Sequence, residues 1–540
     1  MIGRRQARAV VAAAALLGSA LAAAPGSAQS TDQDAVVAFL KARVEAVRAG
    51  TTRIGGEQLA RAQEVAAFYE ERRFEPVWPD RAGAAAVLDL VDAVASDGLT
   101  PEHYHRSAIA RRSAMRDVAA AVELELLGAD ALAQIAHDIT RGRVQSAERA
   151  ITLSAVPVLR PLDALARDLR TAGAARALAR MRPQQYVYTG LVDALARLRA
   201  VEATGGWPAL PAGRTLRVDS VDARIPALRS RLVLEGDLPA AAEAASSTLF
   251  DRDLERAVRA FQHRHGLNED GIVGPATLRQ LNVPVERRIA QVRANLERAR
   301  WIAPALPPTF VAVNAAGAKA YMVRAGEVVL ETRVIVGADV TRTPVFTAPM
   351  RYIDLNPTWT VPPGIVGEIL ANIRRDAGWL RRENMQVIDD GGRVLDPNRI
   401  AFSRYSARSF PYTFRQAPGP RNPLGVIKFV FPNRYNVYLH DTPARTLFDQ
   451  EQRLFSHGCI RVQDPLDLAV LLLDGTEWTR AALGAAIATG ATRTITLPTT
   501  VPVFVLYWTA STDLHGELHF YPDVYARDPA LLAELDRTTP

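Results

Sequence analysis

The sequence predicts a multidomain protein: an α-helical N-terminal scaffold, then a small three-helix domain, then a mainly-β domain interrupted by a long insertion. Three observations predict it. From Asp32 to about Ala200, apolar residues recur at three- and four-residue spacing in a background of Ala, Leu, Arg and Glu, which is the period of amphipathic helices. After Pro304, Pro307 and Pro308 the composition changes to Val, Ile, Tyr and Phe clustered between Gly-containing turns, as in consecutive antiparallel strands. The length of 540 residues exceeds what a single hydrophobic core holds.

Residues 1–28 read as an export signal. Arg4, Arg5 and Arg8 supply a basic start, Val10 to Leu21 an apolar run, and Gly26-Ser27-Ala28 a small-residue cleavage site, so that the mature chain begins near Gln29. Arg4-Arg5 also suits the twin-arginine route, and the general route needs no more than the same basic start. The apolar run is too short for a membrane span, and no later stretch reaches the ~18 apolar residues a span requires. With one cysteine in the whole chain, no internal disulfide can form, and stability must come from packed cores. The net charge of +7 would suit nucleic acid in an intracellular protein. Here the arginines are dispersed through helical patterns without interleaved aromatics, which reads as a solvated basic face and not a nucleic-acid site.

Residues 29–246 form the helical scaffold, punctuated at Ser96-Asp97-Gly98-Leu99-Thr100-Pro101 and at Arg141-Gly142-Arg143. His103 and His105 lack a third ligand nearby and read as ordinary surface or core histidines. A Gly/Pro-rich connector around Gly205 to Gly213 leads toward a compact module at 247–284. Leu254, Ala257, Val258 and Phe261 make one helical stripe, Gly266-Leu267 stops it, and Pro275 starts a second helix continued by Leu278 and Leu281. His263 and His265, two apart on the first helix, face different directions. Residues 285–308 read as a linker helix. The β domain spans 309–500, with strands expected at Thr309 to Asn314, Lys319 to Arg324, Glu327 to Gly337, Met350 to Leu355, Val426 to Phe431 and Val437 to His440. The insertion at about 365–423 has a helix near Val366 to Arg374 and then an irregular, aromatic-rich segment from Trp379 to Phe414, read as a lid. Residues 501–540 form an extension packing on the scaffold or the β domain.

The chemistry centres on Phe455-Ser456-His457-Gly458-Cys459-Ile460-Arg461-Val462, where the single thiol lies between a histidine and an arginine. A thiol is a strong nucleophile as thiolate, and a neighbouring imidazole or guanidinium favours that form. Gly458 allows a sharp turn that leaves the N–H groups of Gly458 and Cys459 free to face an oxyanion. His440 ends the strand Tyr435 to His440. Spacing alone makes His457 the nearer base to Cys459, whereas a histidine from a neighbouring strand end can also be held by an acceptor on its other nitrogen.

His440 followed by Ser456-His457-Gly458-Cys459-Ile460-Arg461 resembles the active-site signature of the L,D-transpeptidase (YkuD-type) catalytic domain. The resemblance extends through Val334-Ile335-Val336-Gly337, Thr343-Pro344 and Asn356-Pro357-Thr358-Trp359-Thr360-Val361-Pro362. Phe261-Gln262 to Gly266-Leu267 with Asp270 to Leu278 closely resembles the peptidoglycan-binding domain of cell-wall enzymes. The whole mature chain is similar to the large multidomain L,D-transpeptidases of the Gram-negative periplasm, with Asp441 standing where many smaller members have glycine.

The resemblance implies a transferase with Cys459 as nucleophile, His440 as general base and the Asp441 carbonyl as orienter of its ring. It implies attack on the third residue of a peptidoglycan stem peptide, release of D-Ala, a thioester intermediate, and a 3→3 cross-link made by a second stem's amine. Carbapenems are the inhibitor class it implies. Tyr438 shares a strand face with His440 and can serve the oxyanion with Gly458, while His457 shapes the turn and lines that pocket. Ser456 and Trp359 are expected to contact substrate. Arg461 fits either a stem carboxylate or a structural ion pair. No cofactor and no metal are required; the partners are peptidoglycan stems and glycan, with other cell-wall synthesis proteins as further candidates. Hydrolysis or transfer to another amine through the same thioester stays open. So do a non-catalytic wall-binding scaffold, opposed by the intact Cys459, His440 and Arg461, and a zinc peptidase suggested by His515-Gly516-Glu517-Leu518-His519, opposed by its strand-like setting.

Overall fold

The computed structural model describes residues 26–145, 158–240 and 247–538, with side chains from residue 33 onward. Most of the leader expected at 1–28 lies outside the described residues. Contacts divide the chain into two compact units, the described residues up to Leu88 with His105–Ala133, and Asp89–Tyr104 with Gln134 onward. No described helix is long and apolar enough to cross a membrane.

The N-terminal region is helical: α1 (Gly26–Arg48), α2 (Ala62–Glu71), α3 (Arg81–Ala93), α4 (Arg106–Ser113), α5 (Val118–Arg141), α6 (Leu162–Ala172), α7 (Ala174–Met181) and α8 (Tyr186–Ala203), with a small hairpin β1 (Arg53–Ile54) and β2 (Glu57–Gln58) after α1. In the first unit, the buried Glu125 carboxylate accepts from Tyr69 Oη and from the N–H groups of Val77 and Trp78 at 2.6–2.7 Å. His105 is a buried partner of Asp130 at 2.9 Å.

Two boundaries shift from those read in the sequence. The small module does not begin at 247: α9 (Ile225–Glu235) joins α10 (Arg252–Arg264) and α11 (Pro275–Leu281) around one core of Leu216, Ile225, Leu228, Leu254, Phe261 and Leu281. Bridges Leu216↔Val273 and Val221↔Leu249 tie to the module a stretch before residue 247 that was read as scaffold. Asp251 caps α10, its carboxylate accepting from Leu254 N at 2.8 Å. The stretch 285–308 is not a linker either. α12 (Val285–Ile302) packs along α8, burying Val292, Leu296 and Ala299 with Tyr188, Leu191 and Leu195. Its charges are buried in pairs, Arg300 with Glu297 at 2.7 Å and Arg298 with Asp528 at 2.6 Å.

The β domain is a sheet that closes on itself. Its strands are β3 (Phe310–Asn314), β4 (Lys319–Arg324), β5 (Glu327–Gly337), β6 (Phe346–Leu355), β11 (Ile427–Val430), β12 (Leu439–His440), β13 (Leu454–Ser456), β14 (Ile460–Val462) and β15 (Arg493–Leu506). Their order is β13-β5-β14-β12-β11-β6-β15-β3-β4, and β4 pairs again with β5 to complete the ring. Val311, Val334, Ile353, Phe429, Leu439, Ile460 and Val503 fill the interior, which α15 (Pro465–Leu472) and α16 (Arg480–Ala488) help to seal through Leu468, Leu472 and Leu483. A domain ending at residue 500 would cut β15, whose Val503–Leu506 pair in parallel with Val311–Asn314 of β3. Beyond it, β16 (Ala510–Thr512), β17 (Leu518–Phe520) and α17 (Asp528–Leu535) follow, with Ala510 and Phe520 in the α8/α12 core.

The insertion is folded where an irregular segment was expected. β7 (Trp359–Thr360), β8 (Met385–Ile388), β9 (Val394–Leu395) and β10 (Thr413–Gln416) form a four-stranded sheet ordered β7-β10-β8-β9, joined by α13 (Val366–Arg375) and α14 (Trp379–Arg382). Leu370, Ile373, Leu380, Val387 and Phe414 give it a core of its own, and Phe410 stacks on Phe414 at 4.6 Å. The aromatic content that suggested a lid is the packing of this subdomain.

Candidate active site

Strand register assembles the site. β12 and β14 run parallel with Leu439 opposite Ile460 and His440 opposite Arg461. Leu439 and Ile460 both point into the barrel, so alternation turns Tyr438, His440, Cys459 and Arg461 to the outer face together. The same alternation extends the row across neighbouring strands: Lys428 is paired with His440 and with Asp354, and Asp354 with Thr494. Ile427, Phe429, Ile353 and Ile495 point inward from the same strands.

His440 is 4% exposed, and its Nδ1 lies 2.5 Å from the Asp441 carbonyl oxygen. That carbonyl accepts a proton held on Nδ1, which leaves Nε2 as the basic nitrogen. Burial, with the nearby Arg461 charge adding to it, pushes the imidazole down to about 3, so it is neutral at pH 7. Asp441 is fixed in turn: its carboxylate accepts from Val426 N at 2.9 Å and pairs with Arg445 at 3.2 Å. Gly425 makes room for it, at φ +60°, where a Cβ would lie 2.2 Å from Asp441 Oδ2.

Burial pushes the Cys459 thiol up, while Tyr438, through its backbone and its hydroxyl, and the charges of Lys428 and Arg461 pull it down. The resting group is thus a thiol beside a neutral imidazole, with two cations placed to stabilise the thiolate as it forms. Sγ lies 3.8 Å from the Asn436 carbonyl oxygen. Among the described residues, no hydrogen bond joins Cys459 to His440, and the Asn436 carbonyl is the thiol's hydrogen-bond partner. Tyr438 and His440 meet edge to face, ring centroids 5.6 Å apart. Trp359, Tyr438, Lys428, Asp354 and Asn436 line a cavity of about 500 Å³ along the entrance to the insertion subdomain.

Three expectations are corrected. The Gly458 N–H is not free for an oxyanion: it donates to Ser456 Oγ at 3.1 Å, and the Ser456 hydroxyl donates to the Cys459 carbonyl oxygen at 2.5 Å. Ser456, 3% exposed, is therefore part of the turn's internal bracing and not a substrate contact. The donors left for an oxyanion are the Cys459 N–H and the Tyr438 hydroxyl. His457 is turned outward, with Nε2 3.0 Å from Glu368 Oε1 on α13, so it ties the nucleophile turn to the insertion subdomain and does not line the thiol's pocket.

Arg461 pairs with no carboxylate among the described residues, which removes the structural ion pair as its role. Lys428 was missed by sequence reasoning; its Nζ stands 4.2 Å above the Tyr438 ring. The signal was present in Ile427-Lys428-Phe429, whose alternation turns Lys428 away from the core. The turn is also braced from behind. Gly458 O accepts from Thr343 Oγ1 at 3.0 Å, Thr343 N–H donates to Tyr525 Oη at 3.3 Å, and Tyr525 Oη donates to Gly337 O at 2.7 Å. His515, Glu517 and His519 sit on or beside the β16–β17 hairpin, and among the described residues no hydrogen bond or ion pair joins them to Cys459.

Fold and site define a catalytic domain of the YkuD class: residues 308–483 match the model of the L,D-transpeptidase catalytic domain. Residues 63–195 match the "Scaffold domain" and 223–281 the "Putative peptidoglycan binding domain". Residues 308–483 thus carry an L,D-transpeptidase catalytic domain, preceded in the chain by a scaffold domain and a peptidoglycan-binding domain. A "Putative L,D-transpeptidase" of Haemophilus influenzae is 35% identical over 226 residues, 42% of this chain and 46% of its own length, so the match spans about half of that relative. Solved L,D-transpeptidases from Stackebrandtia nassauensis (13% identity, 55% of this chain, 96% of that one, TM-score 0.21) and Xylanimonas cellulosilytica (15%, 55%, 98%, TM-score 0.15) are also similar.

Proposed function

We propose that the protein acts in the periplasm as an L,D-transpeptidase that forms 3→3 cross-links between peptidoglycan stem peptides through a Cys459 thioester. The observation that carries this is the register that turns Tyr438, His440, Cys459 and Arg461 to one face of a matched catalytic domain. The Cys459 sulfur attacks the carbonyl carbon of the third stem residue as His440 Nε2 takes the thiol proton. The tetrahedral oxyanion is held by the Cys459 N–H and the Tyr438 hydroxyl. As the C–N bond breaks, the imidazolium returns its proton to the departing amine of D-Ala, leaving a thioester. A side-chain amine of a second stem then attacks the thioester carbonyl, loses its proton to His440, and expels the thiolate. Arg461 binds a stem carboxylate, the role left for an unpaired guanidinium beside the nucleophile. The binding module at 223–281 holds the polymer, and transfer to water or another amine uses the same intermediate.

The test is intact-mass analysis with a tetrapeptide donor. Wild type gains the acyl mass with loss of D-Ala; Cys459→Ala gains nothing. An adduct on the Cys459→Ala protein would overturn the assignment.

A further inference from the structure

The cavity beside Cys459 is lined by two opposite charges that form no ion pair. It begins at Tyr438 and at Asn436, whose carbonyl oxygen lies 3.8 Å from the thiol sulfur, and it runs past Lys428 to Asp354 and Thr494. Register spaces these groups: Lys428 is opposite His440 on one side and Asp354 on the other, and Asp354 is opposite Thr494. Neighbouring strands stand about 5 Å apart, so Lys428 and Asp354 follow His440 at about 5 and 10 Å across the sheet.

Among the described residues, the Lys428 ammonium has neither a hydrogen bond nor an ion pair, and it is not sealed from solvent. It stands over the Tyr438 ring at 4.2 Å instead of reaching Asp354. Asp354 and Cys459 are both close enough to favour its charge. Asp354 is half-buried and meets no cation within ion-pair distance among the described residues; its Oδ1 accepts from the exposed Thr494 hydroxyl at 2.6 Å. A carboxylate and an ammonium held apart on adjoining strands are complementary to a single carbon that bears an ammonium and a carboxylate. Trp359, Val361, Pro362 and Leu424 line the same cavity and give a methylene chain an apolar wall.

We propose that Asp354 and Lys428 form a specificity subsite for the side chain of the donor's third residue, selecting one that ends in a carbon bearing both charges, as in meso-diaminopimelate. The subsite rests on the reading of Cys459 given above and adds to it the groups that choose the donor. From the attacked carbonyl carbon, an extended diaminopimelate side chain and its hydrogen bond together span about 10 Å, which matches the two strand spacings from His440 to Asp354. Asp354 accepts from the side-chain ammonium, Lys428 donates to the side-chain carboxylate, and neither passes a proton to the substrate. Arg461 lies across His440 from Lys428 and is left for a different stem carboxylate.

The experiment is single-turnover acylation of the full chain, read by intact mass, with tetrapeptide donors that differ at the third residue: meso-diaminopimelate, L-2-aminopimelate, which lacks the side-chain amine, and L-lysine, which lacks the side-chain carboxylate. Wild type is expected to be acylated by the first roughly tenfold more efficiently than by either analogue. Asp354→Asn should bring diaminopimelate down to the level of 2-aminopimelate, and Lys428→Met should bring it down to the level of lysine. Ratios between donors within one variant cancel any effect on the thiol itself. Equal acylation of wild type by all the donors, or donor ratios unchanged in either variant, would overturn the subsite while leaving Cys459 as nucleophile. Acylation by none of them would overturn the Cys459 reading and this proposal with it.

Discussion

Replacing Lys428 by methionine removes a cation from the face that carries Cys459 while keeping most of the side chain's packing against the Tyr438 ring. Lys428 is half-buried, its ammonium 4.2 Å from that ring centroid, and burial lowers its own pKa while Asp354 and Cys459 raise it. A unit charge acting across one side-chain layer at an effective dielectric of ~20 is worth about 1–2 kcal/mol to a forming thiolate. That is about one pKa unit, since 1 unit corresponds to ~1.4 kcal/mol. The sign is fixed: loss of a cation disfavours thiolate, so the thiol titrates about one unit higher and acylation slows roughly tenfold below that pKa. Iodoacetamide alkylation of Cys459 against pH measures the thiolate directly, and Lys428→Arg serves as the charge-keeping control. An alkylation profile of Lys428→Met that superimposes on wild type would refute the argument, and with it any electrostatic role for this lysine.

Gly425→Ala puts a methyl on Asp441 and strains a left-handed residue, so it should displace the carbonyl that orients His440; acylation falls at least about tenfold while stability drops by about 1–3 kcal/mol. Normal single-turnover acylation of this variant would show that the carbonyl is not needed. His265 is buried, bonded to Glu235 and Arg288, and pushed down to about 3, chiefly by burial. Its unfolded form binds a proton below about pH 6.5 where the folded form does not, so stability falls as pH drops from there toward 3, by up to ~1.4 kcal/mol per pH unit. His265→Gln keeps hydrogen-bonding capacity, and denaturant unfolding across pH should show a slope shallower by about one proton; identical slopes would exclude the effect. Glu368→Gln weakens the exposed contact with His457, and limited proteolysis should then cut the 376–412 segment faster. Equal cleavage would mean that the subdomain's own core, not this contact, holds it.

What the sequence disclosed and what it hid follow from the range of the interactions. Cys459 lies immediately before the strand that carries Arg461, and Tyr438 immediately before the strand that carries His440, so their facing was readable from alternation; that the two strands adjoin was not. Gly458 misled because its bond to the Ser456 hydroxyl is a detail of turn geometry that no spacing encodes. Lys428 needed both its own alternation and the register of β11 against β12. α12 was mistaken for a linker because Arg288, Arg298 and Arg300 look like a solvated face, although each is at most 2% exposed and bonded within the protein. The module's true start was hidden for a related reason: Leu216 pairs with Val273 across the chain, and a bridge of that span leaves no local pattern. Strands of two to four residues in the insertion are too short to show a period at all.

The bracing of the nucleophile turn by Tyr525 sets an order of events. A chain emerging from the ribosome presents Cys459 before β15 exists to pair with β3 and before Tyr525 exists to hold Gly337 and Thr343. During that interval the ring of strands cannot close, because β15 is the strand between β6 and β3. Support of the nucleophile turn thus depends on residues that follow it in sequence, and a protein cut short after Leu506 would carry Tyr438, His440, Cys459 and Arg461 without the Tyr525 bonds that hold Thr343 and Gly337.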